Sequence, residues 1–294
     1  MDLYDVKLAL GAAQFGLVYG VTNQTGMVSD EEMKLVLKLA KEHNIRTIDT
    51  AFSYGKSEKR LGNFDLEPFE IITKIPNVNG DLSKIEGNII KFILKSLERL
   101  NLKKVEAVLV HKSELLFSSI GNEIMKGLTR AKEEGLCKRV GVSVYDPDHI
   151  RSISDNFSID LIQAPLNILD QRIIHSGGLK YCKDNKISVH IRSIFLQGLL
   201  LSSPDSRPVY FDRWNHIWDI WKNWLDENCF TPVQGALSFV NGCSSFGIER
   251  VVIGFQNMNQ IIEIIDNKDT KAVNFPEEFL HIDQALSNPT KWKM

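Results

Sequence analysis

No apolar run in this chain of 294 residues approaches the ~20 residues that cross a bilayer. The opening, MDLYDVKLALG, carries acids where a secretory leader is basic, so a cytoplasmic protein is expected. The four cysteines, Cys137, Cys182, Cys229 and Cys243, are widely spaced and form no CxxC pair. They read as reduced, structural thiols. The seven histidines show no zinc-site spacing and no HExxH, so no metal is expected. A GxSxG elbow is absent. No GxGxxG follows a strand, and the GKS at 55–57 has Thr50 where a phosphate loop needs glycine. Net charge is −2, which makes nucleic acid and anionic membranes poor partners. Proline-rich or serine-rich linkers are missing as well, so residues 1–294 read as one domain.

What is present is a regular alternation. Short β-rich runs occur at 6–11, 46–50, 69–74, 105–110, 138–143, 159–164, 187–193 and 249–254. Amphipathic patterns lie between or after them, near 119–135, 147–155, 172–184, 212–228 and 258–266. Two further helices begin at apparent capping boxes, Ser29 with Glu32 and Ser83 with Glu86. The first then places Met33, Val36, Leu37 and Ala40 on one face, the second Ile85, Ile89, Ile93 and Leu97. Strands this rich in Val, Ile and Leu are buried on both faces, which favours a parallel sheet. Eight βα units over this length predict a closed (β/α)8 barrel of the TIM type rather than an open doubly wound sheet.

The chemistry-bearing residues sit at the strand ends. Asp49 and Tyr54 stand in TIDTAFSYG, Lys74 ends FEIITK, and His111 follows VEAVLV. On a barrel, that end of the strands is where active sites are built. The set supplies an acid (Tyr54), a cation to lower its pKa (Lys74), a carboxylate to hold the cation (Asp49) and an imidazole to orient a carbonyl oxygen (His111). Taken singly, each is as easily a structural polar residue at a strand end; together they suit proton delivery to a carbonyl.

DTAFSYG, then Lys at the end of the next strand, then His after the one following, resembles the aldo-keto reductase family. The likeness runs from about Leu8 to about Ile265 and implies a (β/α)8 barrel binding NADP(H) or NAD(H). In that family the four positions form the catalytic tetrad. LALGAAQFG resembles the first strand and turn, placing Ala13 and Gln14 at the cofactor. RVGVS implies that Ser143 touches the nicotinamide carboxamide, and LIQAPLNILD implies the same of Gln163. IRSIFLQGLL resembles the pyrophosphate-binding segment, with Ser193, Leu196 and Gly198 at the matching positions. VVIGFQNMNQIIE resembles the final loop around the adenosine, with Gly254, Gln256 and Gln260.

Two departures stand out. Val144 replaces an asparagine often found after the serine of GVS. The final loop, 254–260, holds no Lys or Arg, whereas a 2′-phosphate is normally met by a cation. The implied consequence is use of NADH at least as well as NADPH. For substrate contacts, Phe52, Tyr145 and Phe195 each follow a strand, and Trp214 with Tyr210 and Phe211 could wall the pocket. Packing of a helix on the barrel is the plainer reading of Trp214, Trp218 and Trp221. Arg207 and Arg213 read as solvated charges rather than ligands for an anionic substrate.

The expected activity is NAD(P)(H)-dependent reduction of a small aldehyde or ketone. Resemblance to bacterial members associated with sugar or surface-polysaccharide metabolism points to a sugar or nucleotide-sugar carbonyl. A nicotinamide-binding redox-sensing subunit, and an enzyme working mainly as dehydrogenase or epimerase, are the alternatives. Oligomeric state is left open, as is whether the last thirty residues close over the active face or pack on a partner chain.

Overall fold

The computed structural model describes residues 7–293. Val6, where the first strand was expected to begin, and the acidic opening lie outside the described residues. Among the described residues, eight parallel strands close a barrel in sequence order. They are β1 (Leu8–Gly11), β2 (Thr47–Asp49), β3 (Glu70–Ile75), β4 (Val105–Val110), β5 (Cys137–Ser143), β6 (Leu161–Pro165), β7 (Ser188–Arg192) and β8 (Ile248–Ile253). Each expected strand lies within two residues of an observed one. Most strand residues are buried, because the interior and the helix ring cover both faces.

The helices follow their apolar stripes with four corrections. In α1 (Asp30–Glu42), Ser29 accepts from the Glu32 amide, and Met33, Val36, Leu37 and Ala40 are buried. The Glu32 carboxylate does not turn back to close the box; it accepts from the backbone N–H of Met258, 2.7 Å away. The short α2 (Ser57–Leu61) follows β2. The helix after β3, α3 (Leu82–Leu100), is capped by Asp81 rather than Ser83. Aspartate is as good a cap as serine, and Asp81 stands two residues earlier, with its carboxylate on the Ser83 amide. Glu86 instead pairs with Arg130 at 3.3 Å.

Further along come α4 (Gly121–Glu133) and α5 (His149–Asn156). The pattern at 172–184 breaks into α6 (Arg172–His175) and α7 (Gly178–Asp184), because Gly177 takes a left-handed φ of 72° between them. Two longer helices follow, α8 (Asn215–Glu227) and α9 (Pro232–Gly242), then α10 (Met258–Asp266) and the short α11 (Gln284–Ser287). Helix α9 was not anticipated. It is buried on nearly all sides, so its apolar residues trace no stripe. Its start carries a true capping box, Thr231 with Gln234.

The two ends of the barrel differ in chemistry. At the strand starts, Glu106 pairs with Lys138 and Arg139, Arg139 with Glu249, and Arg250 with Glu70. This ion network plugs the bottom of the barrel. The opposite end is left for a cleft.

Three of the four cysteines, Cys137, Cys182 and Cys243, are buried free thiols; Cys229 is exposed. The tryptophans of α8 pack rather than line. The indole N–H of Trp218 donates to Phe211 O, that of Trp221 to Leu200 O, and that of Trp224 to Asn274 O. The C-terminal segment lies on the same chain: the Trp292 ring meets Phe211 at 5.0 Å, and the Tyr210 hydroxyl donates to Ala285 O. No helix among the described residues is long and apolar enough to cross a membrane.

Candidate active site

Asp49 is the last residue of β2, Lys74 the penultimate residue of β3, and His111 follows the end of β4. Tyr54 sits in the turn after β2. That turn is clamped from below: Ser57 N donates to Tyr54 O, and the Ser57 hydroxyl donates to Ala12 O. It is clamped from the side by Gly16, where an added Cβ would stand 2.0 Å from Tyr54 O. The serine of the GKS run thus ties the tyrosine turn to the loop after β1.

Four side chains meet at this end of the barrel. Lys74 Nζ donates to Asp49 Oδ1 at 2.6 Å and to Thr50 O at 3.0 Å. The ammonium lies 5.2 Å from the centre of the Tyr54 ring. The His111 ring meets the Tyr54 ring edge-on, 5.6 Å between centres. Gln163, on β6, donates Nε2 to Asp49 Oδ2 at 2.7 Å. Both oxygens of this buried carboxylate are therefore engaged.

The electrostatics differ from expectation at one point. Lys74 was expected to lower the Tyr54 pKa. Instead burial drives the phenol well above its ordinary value, and the Asp49 carboxylate pushes it further, with Arg192 opposing. The Lys74 charge is largely answered by Asp49 at hydrogen-bond distance. Lys74 itself is pulled down by burial, against the pull of Asp49. Burial, then the Lys74 charge, lowers His111 to about 3, so its imidazole is neutral at physiological pH.

That shift has a testable consequence for stability. Above pH 6.5 the imidazole is neutral in folded and unfolded chains alike, and it contributes no pH dependence. Below it, the unfolded chain takes up a proton that the folded chain refuses until about pH 3, so stability falls with pH across that window. A His111→Gln variant is expected to lose less stability than the wild type between pH 7 and pH 4. Urea midpoints at the two pH values check this; parallel losses would assign the acid sensitivity elsewhere.

A cleft of about 430 Å³ opens over this end. It runs from Asp49 and Tyr54 past Ser193 and Gly198 to Gly254, Gln256 and Gln260, with Ala13 and Gln14 along one side. Lys74 stands behind Asp49, and His111 beside Tyr54. Ser143 and Gln163 pair across the β5–β6 register as buried neighbours and are not among the residues that line the cleft. Leu196 is fully buried and does not line the cleft; Gln197 does.

Three of the expected substrate contacts are corrected. Phe52 packs away from the cleft, under the Arg99 guanidinium at 4.0 Å and against Phe92. Trp214 is buried against Phe211, Tyr210 and Arg213. Their aromatic character was visible in the sequence, but not the face they occupy. Tyr145 does not line the cleft itself; it lies beside the lining residue Arg192, whose guanidinium stands 4.0 Å from the centre of its ring. Arg207 and Arg213 stack on Trp218 and on Tyr210 and Trp214. Tyr19, Thr22, Thr25 and Arg192 line the cleft without having been anticipated. The long connection from β1 to α1 was the signal for the first three.

The cleft residues fit a nicotinamide dinucleotide. Gln163 Oε1 is a buried acceptor with no partner, which suits the amide N–H of a carboxamide. The backbone turns left-handed at Ser193, Leu196, Gln197 and Gly198, with φ of 61°, 47°, 54° and 95°. Turns of this kind cradle anions such as a pyrophosphate where their amides are free; here Leu196 N and Gly198 N donate within the segment, to Ser193 O and Phe195 O.

Comparison with known proteins agrees. The aldo/keto reductase family model matches residues 7–284. A D-threo-aldose 1-dehydrogenase of a Pseudomonas species is 28% identical over 250 residues, 72% of this chain and 76% of that protein. An NADH-specific methylglyoxal reductase of Escherichia coli (strain K12) is 34% identical over 110 residues, 37% of this chain; the match spans 33% of that protein. An aldo-keto reductase of Bacillus halodurans, solved in its holo form, superposes with a TM-score of 0.72 at 18% identity, covering 97% of this chain and 95% of that one. At that identity the superposition speaks for the fold alone, while the family model covers barrel and cleft together. The chain belongs to the aldo/keto reductase family and is an NAD(P)H-dependent carbonyl oxidoreductase.

Proposed function

We propose that the chain reduces an aldehyde or ketone to an alcohol, with Tyr54 as proton donor. The observation that carries this reading is the convergence of Asp49, Tyr54, Lys74 and His111 at one end of the cleft. The bound nicotinamide supplies the hydride. Tyr54, held protonated by its burial, gives a proton to the carbonyl oxygen as negative charge develops there. Neutral His111 donates a hydrogen bond to the same oxygen and fixes its position. Lys74 stays close to the phenol and steadies the negative charge it acquires. Asp49 holds Lys74, and Gln163 holds Asp49, leaving an unpartnered Oε1 that would accept from the carboxamide of a bound nicotinamide.

Several features support NADH as the working cofactor. The loop 254–260 carries no basic side chain. Three of its backbone donors are also already used: Gln256 N by Gln260 Oε1, Met258 N by the Glu32 carboxylate, and Gln260 N by Asn257 Oδ1. A 2′-phosphate arriving there meets a carboxylate and no vacant amide among these three. In titrations followed by tryptophan fluorescence, NADH is expected to bind at least tenfold tighter than NADPH, ~1.4 kcal/mol. A tenfold preference for NADPH would sink the cofactor argument, and binding of neither would sink the function.

A sugar or nucleotide-sugar carbonyl is the proposed substrate. The aldose 1-dehydrogenase among the relatives supports it. Turnover confined to small aromatic aldehydes in a broad carbonyl panel would overturn it.

A further inference from the structure

Arg60, on α2, does not line the cleft, yet it grips one of its walls. The connection 16–28 lines the cleft through Tyr19, Gly20, Thr22, Gln24 and Thr25. Its two stems lie side by side, with Val28 N donating to Gln14 O at 3.0 Å. Arg60 Nη1 donates to Phe15 O on one stem at 2.5 Å, and Nη2 donates to Val28 O on the other at 2.7 Å. Phe15 and Val28 are buried, and among the described residues no other donor reaches either carbonyl. Arg60 Nε donates to Asp30 Oδ1 at 2.7 Å, at the start of α1. A guanidinium presents its donors in a fixed fork, so three acceptors hold it in one orientation. The same short helix serves the tetrad. Ser57 ties the Tyr54 turn to Ala12 O, and the buried Glu58 carboxylate accepts from Thr73 Oγ1 at 2.7 Å, one residue before Lys74. Across the cleft, the loop meets the other cofactor-facing segments. An added Cβ at Gly198 would stand 2.0 Å from Thr22 Oγ1, and the Thr25 hydroxyl donates to Gln256 Oε1 at 3.5 Å. Arg60 is the anchor of this loop on the tetrad side.

We propose that Arg60 is a positioning residue for the reduction: it fixes loop 16–28 against the Tyr54 turn, so that the dinucleotide meets a preset wall. The inference rests on the reductase reading and gives cofactor retention a residue outside the cleft. Loss of the guanidinium leaves two buried carbonyls without a donor and frees the loop to leave its place. Apparent cofactor affinity then falls in proportion to the share of molecules whose loop is in place. Hydride and proton transfer are spared, because Ser57 and Glu58 still hold the Tyr54 turn and β3.

The test follows Arg60→Met, which keeps an apolar stem and removes every donor. In titrations read by tryptophan fluorescence this variant is expected to bind NADH about tenfold more weakly, the result of a loop in place one tenth of the time. Single-turnover hydride transfer at saturating NADH should stay within about threefold of the wild type. Amide exchange followed by mass spectrometry should speed up in residues 17–27 and not in α3. Arg60→Lys, whose single ammonium cannot span both stems, should recover part of the affinity, and it carries the same comparison if the Met variant does not fold. Asp30→Asn leaves the fork on both carbonyls and removes only an exposed charge, so NADH affinity should stay within about twofold. Unchanged NADH affinity beside a lowered urea midpoint would make Arg60 merely structural and overturn the proposal. Weaker binding with unchanged exchange in 17–27 would overturn it too, since the loop would not be what had loosened. So would a fall of about a hundredfold in hydride transfer at saturating NADH, which would place its effect on the tetrad. If no carbonyl is turned over, the reductase reading fails, while the dinucleotide titration and the exchange measurement still decide the role of Arg60.

Discussion

Tyr54→Phe is expected to lower kcat for carbonyl reduction about a thousandfold, ~4 kcal/mol of transition-state stabilisation, while NADH affinity stays within twofold. The substitution removes one oxygen and little else. The turn is held by backbone bonds, Tyr54 N to Ala51 O and Ser57 N to Tyr54 O, which phenylalanine keeps. The edge contact with His111 needs only the ring. Stopped-flow hydride transfer and a fluorescence titration of NADH separate the two quantities. A loss below tenfold would remove Tyr54 from the proton path and revive the redox-sensing alternative, which has no use for a positioned acid.

Lys74→Met should both inactivate and destabilise. Asp49 is 3% exposed and Lys74 1%. Taking away the lysine leaves a buried carboxylate whose Oδ1 has lost its ionic partner, although Gln163 still serves Oδ2. Breaking a buried pair from one side typically costs about 3–5 kcal/mol, because the remaining charge is stranded. The double variant Asp49→Asn/Lys74→Met removes both charges and is expected to recover more than half of that loss in urea unfolding. It should recover none of the activity. If the double variant is as unstable as the single one, packing of the lysine stem rather than the stranded charge sets the penalty. If it regains activity, the pair is structural and the proton donor works without it.

Much of this molecule can be read along the chain. The strands were legible because a strand buried on both faces must be a short run of Val, Ile and Leu, and helices between such runs must turn one apolar stripe inward. The exceptions have two causes. Helix α9 is covered on almost every side, so periodicity has nothing to contrast. The starts of α1 and α3 turn on competition: Asp81 outruns Ser83, and Glu32 finds the Met258 amide, 226 residues away, in place of its own N-cap.

The sequence by itself determined the residue types at the ends of β2, β3 and β4, the eight-fold βα alternation and the lack of any cation in 254–260. These depend on the order and spacing of neighbours, which backbone geometry converts directly into faces and ends. Tertiary structure alone decided the rest. Closure of the barrel brings Gln163 onto Asp49 across 114 residues, turns Phe52 and Trp214 into packing residues, and sets Arg192 in the cleft lining. It also reverses the expected shift of Tyr54, because desolvation is set by everything that surrounds the phenol, while sequence spacing names only the charge beside it.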